Sequence, residues 1–487
     1  MKQIKRYVAV FIVFLMMFCS LSHDVFADDG WDGTEYECTV GTGDPNNPYL
    51  ISTPGELAWF RSQVNNGDVF ICAKLMSDID LNNYSWDPIG DCGVSTATSI
   101  VTGGNPYRGT FDGDGHTIKG FNITINTDAT NYRYIGLFGA ASGTHDPETS
   151  ETTYAEIINL TVVGTVTITT GTKAPEFVAG ICGCGAYLKV NNCTSNVDIT
   201  VTGSREGSNV GGIIGYAVKP VQLNKCVNIG NISGNFKIAG GLMGSGLADN
   251  ILVCCCNSGD ISGNTQIGGL AGVVSGEVRD CYNDGSVTGS STREKSGSGG
   301  LIGSNSGSNP LTMTNCFTTG DCSFSNENYT GAVYGRLATT EGIISFNNVY
   351  YLDTVCGGRS FGLSAPGYYE GYSDESYLCY KTTSKTAAEL ASDEFVTTLN
   401  INSGSTVFKK GSTHPIFVWQ TEDAPIPVVI LGDINGDGSV TAVDVTMLLV
   451  KIENNELPAN EVGDINGDGS VTAVDVTKLL TLIAIPE

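Results

Sequence analysis

Positively charged residues are few in this chain: 25 Lys and Arg stand against 51 Asp and Glu, a formal net charge of −26 at pH 7. That balance repels phosphate backbones and anionic membrane surfaces, so nucleic acid and acidic lipid are excluded as partners. Histidine is rarer still, with only His23, His116, His145 and His414. None belongs to an HExxH pair, which excludes one common hydrolase design. No long hydrophobic run follows residue 27, so no membrane span is expected beyond it. Helical periodicity is missing across residues 92–351.

What is present begins with an export signal. Lys2, Lys5 and Arg6 precede a short apolar stretch, residues 7–21, and Val25, Phe26 and Ala27 form a small-residue cleavage site. The expectation is a signal peptide over 1–27 and a secreted chain, extracellular or held at the cell surface, with an uncleaved anchor as the alternative.

Glycine is abundant, 63 of 487 residues against a usual share of about 7%. It is ordered rather than scattered. The segments VAGICG (from Val178), VGGIIG (Val210), AGGLMG (Ala239), IGGLAG (Ile267), SGGLIG (Ser298) and TGAVYG (Thr330) start 32, 29, 28, 31 and 32 residues apart, and an earlier copy, YIGLFG, starts at Tyr134. Between them a cysteine recurs with an apolar residue or cysteine six positions on, from Cys193, Cys226, Cys255, Cys281 and Cys316. A period near 30 residues marks a solenoid. Short β-branched runs between Gly, Asn, Ser and Asp turns mark strands. The fold expected is mainly β, a right-handed parallel β-helix, with a series of β-sandwiches as the alternative. These segments resemble the GLUG repeats of bacterial surface proteins, and the resemblance implies a fold rather than an activity.

The recurring cysteines read as an inward ladder of small apolar thiols, with disulfides among them the alternative. Cys182 with Cys184, and Cys254 with Cys256, are each expected on one strand face. No histidine neighbours them to complete a zinc set.

Helical caps are expected at both ends. Thr53, Pro54 and Glu56 form a capping box with proline at the first helical position, predicting a helix over 54–65. A strand over 69–81 follows. Thr386 and Glu389 repeat the box ahead of Leu390, Phe395 and Leu399. The domains are then 28–91 (cap and first coils), 92–353 (repeats), 354–420 (rear cap), and 421–431, a proline-bearing linker.

The tail carries the most specific signal. Residues 432–446, GDINGDGSVTAVDVT, recur unchanged at 463–477. Each copy places side-chain oxygens in the order of an EF-hand-type loop, with Gly438 or Gly469 at the sharp turn: Asp433, Asn435, Asp437, Ser439 and Asp444, then Asp464, Asn466, Asp468, Ser470 and Asp475. Position 12 is Asp rather than Glu, and no leading helix precedes the first loop. Val445, Leu448, Leu449 and Ile452 then fall at helical spacing, as do Val476, Leu479, Leu480 and Ile483.

Two loop–helix units 31 residues apart resemble a type I dockerin, spanning 432–487 as a small all-α calcium-binding domain. The resemblance implies two Ca2+ ions and a cohesin module of a scaffoldin or cell-surface protein as partner. It implies recognition through loop positions 10 and 11 and the following helix. Those residues are Ala442, Val443, Leu449 and Val450 in one copy and Ala473, Val474, Leu480 and Thr481 in the other; the small apolar pair is nearer ruminococcal than clostridial versions.

For the solenoid two functions stand. One is a non-catalytic module of a cellulosome-type assembly that binds a plant or cell-surface glycan or another protein, with Tyr368, Tyr369 and Tyr372 as candidate sugar contacts. The other is a carbohydrate-active enzyme, a polysaccharide lyase or glycoside hydrolase, whose catalytic residues the sequence does not name. Asp78, Asp80, Asp112 and Asp114 are the acid candidates, although Asp in Gly-rich turns most often shapes backbone.

Overall fold

The computed structural model describes residues 30–92, 104–126, 134–170, 176–203, 208–290, 297–305, 309–324, 330–336, 344–358 and 379–420. In the tail it describes 445, 446, 448, 449, 452, 463, 465 and 471–483. The chain divides into two units, Gly33–Glu422 and a second formed by Met1–Asp32 with Asp423–Glu487. The signal segment 1–27 and the linker 421–431 lie outside the described residues.

In the larger unit strands pair in parallel from coil to coil. One ladder runs Tyr49–Ile51, Ala73–Leu75, Thr110–Asp112, Ala155–Ile158, Leu188–Asn191, Val221–Asn224 and onward. A second is a seven-stranded sheet whose strands begin the glycine motifs. Its register joins the first residues of successive motifs, Val178 to Val210, Ala239, Ile267, Ser298 and Thr330. One sequence repeat is therefore one coil of a β-solenoid. The sandwich alternative is overturned, because sandwiches stack antiparallel sheets.

The cysteine ladder lies inside. Cys193, Cys226, Cys255, Cys281 and Cys316 are fully buried free thiols. Each follows a residue held at positive φ, namely Asn192, Lys225, Cys254, Asp280 and Asn315, where the coil bends. Backbone N–H groups of Cys226 and Cys255 donate to Sγ of Cys255 and Cys281 at 3.3 and 3.4 Å. Two residues on, a second column points the same way: Asn228 Nδ2 donates to Asn257 Oδ1 and Asn257 Nδ2 to Asn283 Oδ1, both at 2.7 Å. The motif glycines make room for it, since a Cβ on Gly241 would sit 2.1 Å from Asn257 Cγ. The pairing expected for Cys254 and Cys256 is corrected: Cys254 occupies the left-handed bend, and Cys256 belongs to the outward column described below. Cys182 and Cys184 do share the strand Cys182–Ala186.

Burial pushes the Cys193, Cys255 and Cys316 thiols well above the ordinary value of 9.0. The folded state then holds these protons more tightly than the unfolded chain does. Their contribution to stability is complete below about pH 9 and is lost as pH climbs toward the raised folded values. The thermal midpoint of the β-rich unit should fall as pH rises past about 9, and iodoacetamide should leave the ladder unlabelled at pH 8 until urea is added. Rapid labelling of native protein would contradict the buried ladder.

The front helix Pro54–Asn65 forms with the expected bounds and a complete Thr53–Glu56 capping box. Its Phe60 ring packs on Tyr107 and Phe111 at 5.8 Å between centroids in each case. The strand expected over 69–81 is shorter, Ala73–Leu75 and Ile79–Asp80. Between them Ser77 Oγ donates to Ser52 O and Asp78 Oδ1 accepts from Thr117 N–H, so the polar run turns a corner.

The rear segment differs from a plug over the last coil. Thr386 and Glu389 form their capping box ahead of Ala387–Leu390, and a further helix runs Asp393–Ser403. Leu390, Phe395, Leu399, Phe408 and Phe417 pack on Val227, Cys256, Tyr282, Phe317 and Tyr350. Those five form one outward column, linked strand to strand in register. The segment thus covers the side of five coils. The same column carries Thr161 and Thr194 in earlier coils, where this cluster does not reach.

Candidate functional site

In the tail the duplicated periodicity resolves into two roles. Val445, Leu448, Ile465, Val471, Val476 and Leu479 form a small core, with Ile452 packed against it. Equivalent positions of the two copies behave alike: Val445 and Val476 are buried, as are Leu448 and Leu479. Leu449 and Leu480, which share the apolar spacing, are instead 49% and 51% exposed, and Val474 is 58% exposed. Ala473, the first residue of the helix Ala473–Ile483, is exposed as well. Of the expected recognition residues, these four are therefore brought to the surface. Ala442, Val443, Val450 and the Thr481 side chain lie outside the described residues.

Of the ten loop oxygens only Asp475 is described. It is fully buried, and its Oδ2 accepts from Thr472 N–H at 2.8 Å and from Thr472 Oγ1 at 3.2 Å. Thr472 Oγ1 in turn accepts from Val474 N–H at 3.2 Å. This reciprocal cap starts the helix and fixes a carboxylate at loop position 12. A buried carboxylate in an all-oxygen donor set fits a hard cation such as calcium. Asp433, Asn435, Asp437, Ser439, Asp444, Asp464, Asn466, Asp468 and Ser470 lie outside the described residues.

The acid candidates of the solenoid shape backbone. Asp112 Oδ1 accepts from Asp114 N–H at 2.9 Å and Asn159 Nδ2 at 3.0 Å, while Asp114 sits at φ +50° and pairs with Lys74. Asp80 Oδ1 accepts from Asn82 N–H at 2.8 Å in the same kind of turn. Asp78 holds Thr117 N–H at 3.0 Å and His116 Nδ1 at 3.2 Å. Among the described residues no cluster of three or more His, Cys, Asp or Glu side chains is arranged to hold a metal ion. Tyr368, Tyr369 and Tyr372 lie outside the described residues. Sequence reasoning missed a surface cavity lined by Phe70 and Arg108. Its one sequence signal is an arginine beside aromatic residues in an arginine-poor, acidic chain.

No helix among the described residues is long and apolar enough to cross a membrane. None of the curated proteins matches the chain. A solved structure from Bacteroides ovatus, described as a candidate immunoglobulin A1 protease, is similar over 78% of this chain and 95% of its own, at 19% identity and a TM-score of 0.44. The model of the GLUG motif matches residues 263–288, the coil holding Ile267 and Cys281. The model of the type I dockerin domain matches residues 431–483, which take in both loops and both helices. A type I dockerin implies a cohesin partner and calcium. The chain therefore carries a C-terminal type I dockerin domain and, in its β-solenoid, a GLUG motif.

Proposed function

We propose that this chain is a docked extracellular component. Its leader exports it, its tail takes up two calcium ions and seats on a cohesin of a scaffoldin or surface protein, and its solenoid presents a non-catalytic face for a glycan or protein. Right-handed coiling accompanies this reading, since parallel strand crossovers are almost always of that hand. The observation that carries it is the pair Leu449 and Leu480, exposed at equivalent positions while Leu448 and Leu479 beside them are buried. Large apolar side chains left outside a small core are anchor residues for a partner.

Because the two copies are equivalent, the partner meets either helix. Leu449→Asp alone removes one of two modes and should weaken capture only about twofold, roughly 0.4 kcal/mol. Leu449→Asp with Leu480→Asp should abolish capture, measured by calorimetry against a cohesin panel with helicity followed in parallel. Undiminished binding by the folded double variant would end the docking assignment.

A further inference from the structure

A cavity of about 530 Å³ opens at the front of the solenoid between the turn at Thr42–Pro45, the stretch from Gly67 to Cys72, Arg108 and Tyr154. Its walls are tied together by backbone. Cys72 N–H donates to Gly43 O at 2.7 Å and Arg108 N–H to Val69 O at 2.7 Å. Gly43, at φ +79°, has no room for a side chain: a Cβ would meet the Tyr49 ring at 2.6 Å. The cavity is therefore formed before any ligand arrives, and a ligand is spared the ordering cost.

Its chemistry is specific. Phe70 is 65% exposed at the rim, an unusual place for a phenyl ring. The Arg108 guanidinium carbon lies 5.9 Å from that ring's centroid. Tyr154 forms another wall, its ring backed by the Lys189 ammonium at 4.7 Å. Arg108 makes no ion pair among the described residues, in a chain with 51 acidic side chains; its side-chain hydrogen bond to Gly143 O, from Nη1, is a long one at 3.4 Å. Asp68 is exposed, and Asp44 has one oxygen engaged by Thr42 Oγ1 at 2.6 Å. The lining thus offers aromatic faces, a guanidinium fork that donates, and carboxylates that accept.

Only a ligand with an apolar face and a ring of hydroxyls that both donate and accept uses all three. Two carboxylates against one guanidinium leave the lining negative, which disfavours a polyanion. We infer that this cavity is a subsite for a neutral pyranose unit of a glycan chain. The inference deepens the glycan-presenting reading above and rests on it: the ring stacks on Phe70 or Tyr154, Arg108 donates to its oxygens, and Asp44 and Asp68 accept from its hydroxyls.

The test is calorimetry of the full chain with cellohexaose, xylohexaose and mannohexaose, and with hexagalacturonate as the anionic probe. At least one neutral hexamer should bind and hexagalacturonate should not. Phe70→Ala and Arg108→Ala should each weaken binding tenfold or more, Phe70→Tyr should restore most of it, and thermal midpoints should stay unchanged for the exposed Phe70 variants. Preference for hexagalacturonate would overturn the proposal. Neutral-sugar binding that survives Phe70→Ala and Arg108→Ala but is lost in Tyr368→Ala/Tyr369→Ala would overturn the cavity and leave the glycan reading standing. Absence of binding to every hexamer would remove both.

Discussion

Asp433→Ala combined with Asp464→Ala is expected to melt the C-terminal unit and abolish cohesin capture while the β-rich unit stays folded. The reason lies in the size of the core. Val445, Leu448, Ile465, Val471, Val476 and Leu479, with Ile452 beside them, are the apolar side chains described as holding the tail together. A segment of this size, with so few core side chains, is marginal on apolar contacts alone. On the proposed reading, calcium supplies the difference by binding the folded loops and not the open chain. At free calcium 100-fold above the dissociation constant each site adds about 2.7 kcal/mol. The two proposed sites would together add about 5.4 kcal/mol, comparable to the whole stability of a small domain, about 5 kcal/mol. Removing the proposed first ligand of both loops would forfeit that term, as chelation should in the unaltered protein. Asp475 adds a signature, because its cap on Thr472 starts the second helix and should persist only as long as the loop does. Calorimetry with Ca2+, and circular dichroism of the full chain with and without chelator, would check it. A double variant that still captured cohesin with normal affinity would refute the calcium-dependent account.

Phe317→Ala should destabilise the β-rich unit by about 3–5 kcal/mol, the cost of emptying a large buried aromatic site. Phe317 is fully buried in the outward column, stacked on Tyr282 at 5.0 Å and 7°. Its ring also meets Phe395 edge-on at 5.9 Å and Phe408 at 6.0 Å. The substitution therefore unseats residues 386–420 as well as loosening one coil. The freed column of Val227, Cys256, Tyr282 and Tyr350 would form an exposed apolar stripe, and such stripes drive association. A lower urea midpoint, earlier proteolysis within 386–420 and concentration-dependent aggregation are the expected readouts. A loss below about 1 kcal/mol would mean that the segment does not depend on this contact.

Both effects differ in how far they can be read from the chain itself. The capping boxes at Thr53 and Thr386 rely on side chains three residues apart, and the helices start where those boxes place them. The inward cysteines were legible because a solenoid repeats one environment at one position of each coil. The corner at Met76 to Asp78 was not, because it depends on Ser52 and Thr117, held by other parts of the chain. Helical spacing put Leu448 and Leu449 on one apolar stripe; contact between the two helices decided that one is core and the other surface.

The repeat length, the parallel stacking that follows from it, the paired loop–helix tail and the buried thiols can all be read from the order of residues. Each rests on interactions between near neighbours or between equivalent positions of a period. That the rear helices lie along a flank emerges from the packed fold, where Tyr282 Oη donates to Gln420 Oε1 at 2.9 Å and Asn315 Nδ2 donates to Leu399 O at 2.9 Å. The same packing gathers Thr42, Phe70, Arg108 and Tyr154 around one cavity. Those contacts join residues tens to more than a hundred positions apart, and no local propensity or period encodes which distant surfaces meet.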